Sequence, residues 1–299
     1  MQTPSMKSSD WGLIIALSVL WGGAFFFIEI ALRAFSPNTL VFLRMSLAMP
    51  PLLLVLKFTG QKLPRDVASW RDLSVLGMLN VVLPFILFIW GQTQISSSLA
   101  SVLNATTPLW GVVTAHFLTK NEKATPVRIL GVFLGVAGII VMMGRDAFNS
   151  GASILPQIAC LIGTLCFALA SIYGLRFGKS GMPPMVIATG QVITASVIML
   201  PIALITDAPW RLPIPDFDVI AATVALAVFS TSLAYALYFR LLQSAGASNS
   251  LLITFLIPVT AIILGTLFLG EHMEPLQFAG MGLIALGLVV LDGRLVQRF

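Results

Sequence analysis

The chain has 299 residues, of which 58% are apolar and only 10% are charged, and its mean hydropathy is +0.97. A soluble domain of this length would carry about 25% charged residues, so the composition excludes one soluble core and favours an integral membrane protein. The net charge of +5 is distributed as a membrane-topology signal and does not indicate a nucleic-acid partner.

Ten apolar segments follow one another along the chain. Their residues are 11–32, 39–57, 72–91, 98–119, 127–143, 153–175, 184–205, 217–239, 247–269 and 275–291. Segments of about 20 apolar residues are long enough to cross a bilayer. Backbone polar groups in lipid must be satisfied within the segment, so we expect an all-α protein with ten transmembrane helices.

The positions of Lys and Arg predict the orientation of these helices. Of the 17 Lys and Arg residues, 13 fall on the side of the N-terminus, three on the opposite side and one, Arg44, inside a segment. Because basic residues concentrate on the cytoplasmic side, both termini are expected in the cytoplasm.

Residues 99–142 and 250–291 are two copies of one helix pair. A shift of 149 or 150 positions superposes four identical pairs: Pro108 and Pro258, Glu122 and Glu271, Gly131 and Gly280, Gly138 and Gly287. More weakly, Pro37 precedes Arg44 by the interval at which Pro184 precedes Gln191. The pattern predicts two five-helix repeats, 1–145 and 146–299, in one membrane-embedded unit. With five helices each, the second repeat is inverted, as in many alternating-access carriers.

Several short motifs resemble a known family. They are Leu20-Trp21-Gly22-Gly23-Ala24-Phe25, Pro37 with Arg44, Tyr235-Ala236-Leu237-Tyr238, Pro258-Val259 and Leu269-Gly270-Glu271. In order and spacing they resemble a ten-helix, EamA-type member of the drug/metabolite transporter superfamily over essentially the whole chain. The resemblance is greatest to bacterial inner-membrane exporters of aromatic and other amino acids. It implies secondary transport with the solute held between the repeats. Lys120-Asn121-Glu122 departs from the motif at 269–271, so Glu122 need not act as Glu271 does.

The candidate substrate-binding residues lie within the apolar segments, and Trp21, Asn80 and Asn104 lie near mid-depth, where such carriers hold solute. Asn80 and Asn104 are amides that should face the bundle interior because an unpaired amide in lipid is costly. Trp21, Phe25 and Tyr235 suit the wall of a cavity for a partly apolar, zwitterionic solute. The alternative for the amides is a hydrogen bond that only joins two helices.

Two prolines are candidate hinges. Pro108 and Pro258 occupy equivalent positions, and each removes one backbone hydrogen bond from its helix. Paired weak points of this kind would let one half of each helix move. The alternative is a static kink.

Glu29 and Arg44 are formal charges inside neighbouring segments. A bare charge at the bilayer centre costs roughly 2.5–3.5 kcal/mol, so a mutual ion pair is the simplest expectation. A direct role with solute or protons is the alternative.

Closely spaced glycines predict helix packing in the fifth and tenth segments. Gly131, Gly135, Gly280 and Gly287 permit close backbone approach. Neither the two cysteines nor the group around His272 has the number and spacing of ligands that a metal site needs, so we expect neither a metal nor a cofactor.

The sequence thus predicts a carrier, with a small solute and the bilayer as its partners. It is compatible with a monomer and does not identify the oligomeric state. Drug, nucleotide-sugar or phosphometabolite transport is the alternative within the superfamily. A membrane-embedded enzyme is a more distant one, because no catalytic cluster is visible. No protonatable group lies at mid-depth, so proton coupling and facilitated exchange both remain open.

Overall fold

The computed structural model describes residues 7–118, 125–143, 154–212, 214–245 and 252–292. Within these ranges the chain is helical and contains no strand, which confirms the all-α prediction. The expectations for residues 120–122 and for the boundary at 145–146 lie outside the described residues.

Eleven helices are labelled here in chain order within the described residues. They are α1 Ser8–Ala31, α2 Pro37–Phe58, α3 Val67–Gln92, α4 Ser97–Asn104, α5 Thr107–Leu118, α6 Pro126–Met143, α7 Leu155–Ser180, α8 Pro184–Asp207, α9 217–245, α10 Leu252–Phe268 and α11 Pro275–Asp292. Four of them begin with proline, which is favourable in the first turn because its missing N–H would have no partner there.

Six of these helices, namely α1, α2, α3, α7, α8 and α9, are long and apolar enough to cross a membrane. The shortest of the six, α2, has 22 residues and therefore a length of about 33 Å. The expectation of one continuous helix over the fourth segment, 98–119, is corrected. A turn at Ala105 and Thr106 divides its described part into α4 and α5. Apolar composition alone does not reveal a break of two residues.

Large apolar side chains cover the outside of the bundle. Ile205, Phe229 and Phe268 are exposed there, as are Trp11 and Trp210 near helix ends. A soluble protein would not leave so much apolar surface in water. The surface is that of a protein surrounded by lipid.

The helices pack in pairs that join the first half of the chain to the second. α1 packs against α10 and α9, and α7 packs against α5 and α3. α2 packs against α8 and α9, α8 also contacts α3, and α6 packs along α11. These contacts enclose a space between the two halves.

Both α3 and α9 contain a π-helical turn, at Met78–Val82 and at Val228–Leu233. Pro84 lacks an N–H just after the first turn. In the second, the hydroxyls of Thr231 and Ser232 each donate to the carbonyl five residues earlier, at 3.1 Å. Such turns widen the helix locally and are frequent at functional sites.

The α6–α11 contact brings backbone against backbone. A Cβ added to Gly138 would lie 2.7 Å from the carbonyl oxygen of Gly280. One added to Gly287 would lie 2.7 Å from the carbonyl oxygen of Gly131 and the amide nitrogen of Gly135. A larger residue at Gly138 or Gly287 would therefore move a helix. The four glycines that the sequence predicts for packing, Gly131, Gly135, Gly280 and Gly287, all lie at this contact.

Two carboxylates from the second half of the chain bind helix N-termini in the first. Asp207 accepts a hydrogen bond from the backbone N–H of Thr39, at 2.8 Å. Glu271 accepts from the backbone N–H groups of Ser97, at 2.8 Å, and Ser98, at 3.0 Å. Negative charge is favourable at a helix N-terminus, so these contacts hold α2 and α4 in place.

Candidate functional site: a central cavity

A cavity of about 400 Å³ lies between the two halves of the chain. Its wall combines eight aromatic and seven polar side chains, and both halves contribute to each set. The aromatic residues are Trp21, Phe25, Phe85, Phe88, Phe167, Tyr235, Tyr238 and Phe239, and the polar ones are Arg44, Asn80, Asn104, Thr107, Gln191, Ser230 and Thr254. An apolar wall with a few placed polar groups is typical of a small-molecule site.

All five residues selected from the sequence for substrate binding, Trp21, Phe25, Asn80, Asn104 and Tyr235, line this cavity. They come from α1, α3, α4 and α9, so the fold brings four separate helices to one space. The signals in the sequence are the amide groups of Asn80 and Asn104 at mid-depth and the aromatic rings of the other three residues.

The aromatic side chains also contact one another. The ring centroids of Trp21 and Tyr238 lie 5.3 Å apart, and those of Phe25 and Phe88 lie 6.1 Å apart in an edge-to-face arrangement. Phe88 in turn stacks on Phe167 at 6.2 Å. These contacts restrain the rings and keep the apolar wall rigid.

Asn80 forms a hydrogen bond across the cavity wall. Its Nδ2 donates to Oε1 of Gln191 over 2.9 Å, joining the π-turn of α3 to α8. Asn80 therefore lines the cavity and also joins two helices, so the two alternatives given for this amide do not exclude each other. Gln191 was not selected from the sequence, although its alignment with Arg44 was a signal that could have identified it.

Arg44 makes the corresponding contact from α2 to the π-turn of α9. Its Nε donates to Oγ1 of Thr231 over 3.0 Å, and its Cζ lies 4.0 Å from the centre of the Phe85 ring. Only 6% of the residue is exposed. The guanidinium thus lies at the cavity wall between Phe85 of α3 and the π-turn of α9.

The expected ion pair between Glu29 and Arg44 is corrected, because these residues form none in the described structure. Arg44 points toward α3 and α9. Glu29 instead faces Gln92 and lies within electrostatic range of Glu271. One of its carboxylate oxygens, Oε2, is buried without a hydrogen-bond partner among the described residues. Neighbouring positions on two helices do not ensure contact, because the rotation of each helix decides where a side chain points.

The two candidate hinge prolines differ in setting. Pro108 lies in the first turn of α5, just after the break that separates α4 from α5. Pro258 is buried inside the uninterrupted helix α10. Thr107 and Ile257, the residues that precede them, both line the cavity.

The described histidines are separate from the cavity. The ring of His116 lies edge-on to Phe117 near the end of α5, with centroids 5.0 Å apart, and His272 is exposed between α10 and α11. Within the described ranges, no three His, Cys, Asp or Glu side chains are grouped as a metal site would require.

The bundle of long apolar helices is that of a multi-pass membrane protein, and it surrounds a cavity. The EamA-like transporter family model matches residues 11–144 and 155–291. The chain belongs to this family, whose members are transporters.

Its relatives carry names of the same kind. An uncharacterized inner membrane transporter, YedA, of Escherichia coli (strain K12) is 25% identical over 94% of this chain and 90% of its own length. An uncharacterized transporter of Archaeoglobus fulgidus is 25% identical over 93% and 97%. The uncharacterized transporter YyaM of Bacillus subtilis (strain 168) is 24% identical over 94% and 92%.

A solved crystal structure has a similar fold. It superposes with a TM-score of 0.69 and 18% sequence identity, covering 98% of this chain and 99% of the other. At this identity the likeness shows the fold alone.

Proposed function

We propose that the protein is a secondary transporter that exports aromatic or neutral amino acids from the bacterial cytoplasm by alternating access. The observation that carries the proposal is the central cavity, whose wall combines residues of both halves of the chain. A solute held between two halves becomes accessible to either side when the halves rock against each other.

Matched features of the two halves support an inverted repeat of five helices. The π-turns begin at Met78 and Val228, which are 150 positions apart, the offset that also relates Pro108 to Pro258. The pairing of α1 with α10 and α9 has a counterpart in the pairing of α7 with α5 and α3. The family model matches each half separately. We therefore retain ten membrane spans in repeats 1–145 and 146–299, with both termini in the cytoplasm.

Labelling of single cysteines can test this orientation. The arrangement predicts that position 145 is labelled from outside the cell and position 298 only after the membrane is opened. Labelling of both positions from the same side would contradict the inverted repeat.

The size and walls of the cavity support the class of solute. Pockets of about 300–1,000 Å³ take ordinary small molecules, and a cavity of about 400 Å³ lies at the small end of that range. Its rings suit an aromatic or aliphatic side chain, while its amides and hydroxyls can hydrogen-bond to a polar head group.

Purified protein in proteoliposomes can test the function directly. The expected result is saturable uptake of labelled phenylalanine or leucine, with counterflow when unlabelled amino acid is present inside. Protein-free liposomes are the control for leakage. Uptake that rises linearly with concentration and shows no counterflow would argue against a carrier.

The hinge proposal has its own test. Replacing Pro258 by alanine restores a backbone N–H inside α10, and replacing Pro108 by alanine removes the proline ring from the first turn of α5, beside the break after α4. We expect slower counterflow from the double variant, in a protein that remains folded. Pro184→Ala is the control, because this proline also lies in the first turn of a helix, but neither of its neighbours, Pro183 and Met185, lines the cavity. An unchanged rate in the double variant would remove the hinge role.

A further inference from the structure

Arg44 is the one formally charged side chain among the described residues that line the cavity. No aspartate or glutamate shares that described wall, and the ion pair that would have neutralised Arg44 does not form. A buried, uncompensated charge is costly, so its presence inside a membrane protein indicates a function.

The geometry of Arg44 leaves its recognition groups available. Thr231 accepts from Nε, and the ring of Phe85 covers one face of the guanidinium plane. Among the described residues, neither Nη1 nor Nη2 makes a hydrogen bond or an ion pair. These two nitrogens form the planar fork that matches the two oxygens of a carboxylate. Thr231 and Phe85 hold that fork at a fixed position in the wall.

We infer that Arg44 binds the carboxylate of the transported solute. This inference rests on the proposed function and narrows it to small carboxylates with an aromatic or aliphatic body. Ser230, beside Thr231 in the same π-turn, adds a hydroxyl oxygen that has no hydrogen-bond partner in the described structure. Trp21, Phe25 and Phe88 provide the apolar wall for the body of the solute.

The composition of the wall also limits the rest of the solute. An ammonium group would find no acidic side chain among the described lining residues. The carboxylate should therefore contribute more affinity than the amino group. At the position that aligns with Arg44, the second half carries Gln191, whose Oε1 is already bonded to Asn80. A single cation suits one carboxylate better than a phosphate, which usually recruits several Lys or Arg residues.

Four probes that share a phenylethyl frame separate these contributions. They are 3-phenylpropanoate, its neutral amide 3-phenylpropanamide, the cation 2-phenylethylammonium and zwitterionic L-phenylalanine. Binding to the purified full-length protein is measured by isothermal titration calorimetry. We expect the two carboxylates to bind roughly 10-fold or more tightly than the amide and the cation.

Substitutions of Arg44 test whether that preference depends on this side chain. Arg44→Gln keeps a donor but removes the charge, so the affinity for 3-phenylpropanoate should fall roughly 10- to 100-fold while that for the amide stays unchanged. Arg44→Lys keeps the charge without the fork and should lose less. Arg33→Gln, which removes an exposed charge paired with Asp218, is the matched control and should bind as the unaltered protein does.

Three results would overturn the assignment: equal affinity for the acid and its amide, an equal loss of both in Arg44→Gln, or no binding of either carboxylate. Should Arg44→Gln fail to fold, the acid-to-amide ratio of the unaltered protein and the Arg44→Lys variant decide the question. Carboxylate binding without saturable flux in proteoliposomes would contradict the carrier function but support Arg44 as the anion-binding residue. Flux of only the neutral or cationic probe would support a carrier and overturn the role of Arg44.

Discussion

The central cavity and the α6–α11 contact both join the first half of the chain to the second, but they are built in opposite ways. Between α6 and α11, glycines bring the backbones so close that an added Cβ would lie 2.7 Å from main-chain atoms. Around the cavity, bulky rings such as Trp21 and Phe88 hold the helices apart and leave about 400 Å³.

This difference shows how side-chain size divides one bundle into a part where backbones meet and a part that surrounds a cavity. Small residues increase backbone contact and leave no room for rearrangement. Large rings and polar groups keep a space open, but only if they are themselves restrained. In the cavity this restraint comes from ring contacts and from the bonds of Asn80 and Arg44 to the opposite half.

The largest expected effect of a small substitution lies in the α6–α11 contact. Gly287→Ala places a Cβ 2.7 Å from backbone atoms of Gly131 and Gly135. We therefore expect the free energy of unfolding to fall by about 1–3 kcal/mol. Thermal unfolding of the purified protein measures this loss. Gly282→Ala, in the same helix, is the matched control because nothing lies within 4 Å of its added Cβ. Equal melting temperatures for the two variants would contradict the close contact.

A smaller effect is expected where Glu271 binds the N-terminus of α4. Glu271→Ala leaves the N–H groups of Ser97 and Ser98 without their acceptor, so stability should fall by about 1–2 kcal/mol. Glu274→Ala, in the same loop and exposed, is the control and should unfold as the unaltered protein does. The same comparison of melting temperatures decides between them. A loss of the same size in both variants would show that loop charge, and not the helix contact, matters.

The smallest effect concerns the bond between Asn80 and Gln191. Asn80→Leu and Gln191→Leu each leave one amide unpaired at the cavity, so the affinity for L-phenylalanine should fall about 5-fold with the fold intact. The double variant should lose less than the sum of the two, because the residues share one hydrogen bond. Calorimetric binding to all three variants measures the coupling. An unaltered affinity for Asn80→Leu would assign this residue to helix packing alone.

The sequence is sufficient to identify five of the residues that line the cavity. Asn80 and Asn104 are amides near mid-depth, and Trp21, Phe25 and Tyr235 are aromatic residues within their segments. Depth in a helix follows from position along it. The glycines of α6 and α11 were visible for a similar reason, since their spacing of four or seven residues places them on one helix face. Properties that depend on a single helix are thus predictable from the order of residues along the chain.

The partners of Arg44 and Glu29, the role of Gln191, the π-turns and the break between α4 and α5 required the tertiary structure. Proximity along the chain suggested an ion pair, but Arg44 is bonded to Thr231, which is 187 positions away. Which residue a buried side chain meets depends on the rotation and offset of two helices. Packing of the whole bundle sets both. The sequence alone therefore determined a helical membrane protein and the depth of each residue along its helix. The tertiary structure decided which side chains meet across helices and which line the cavity.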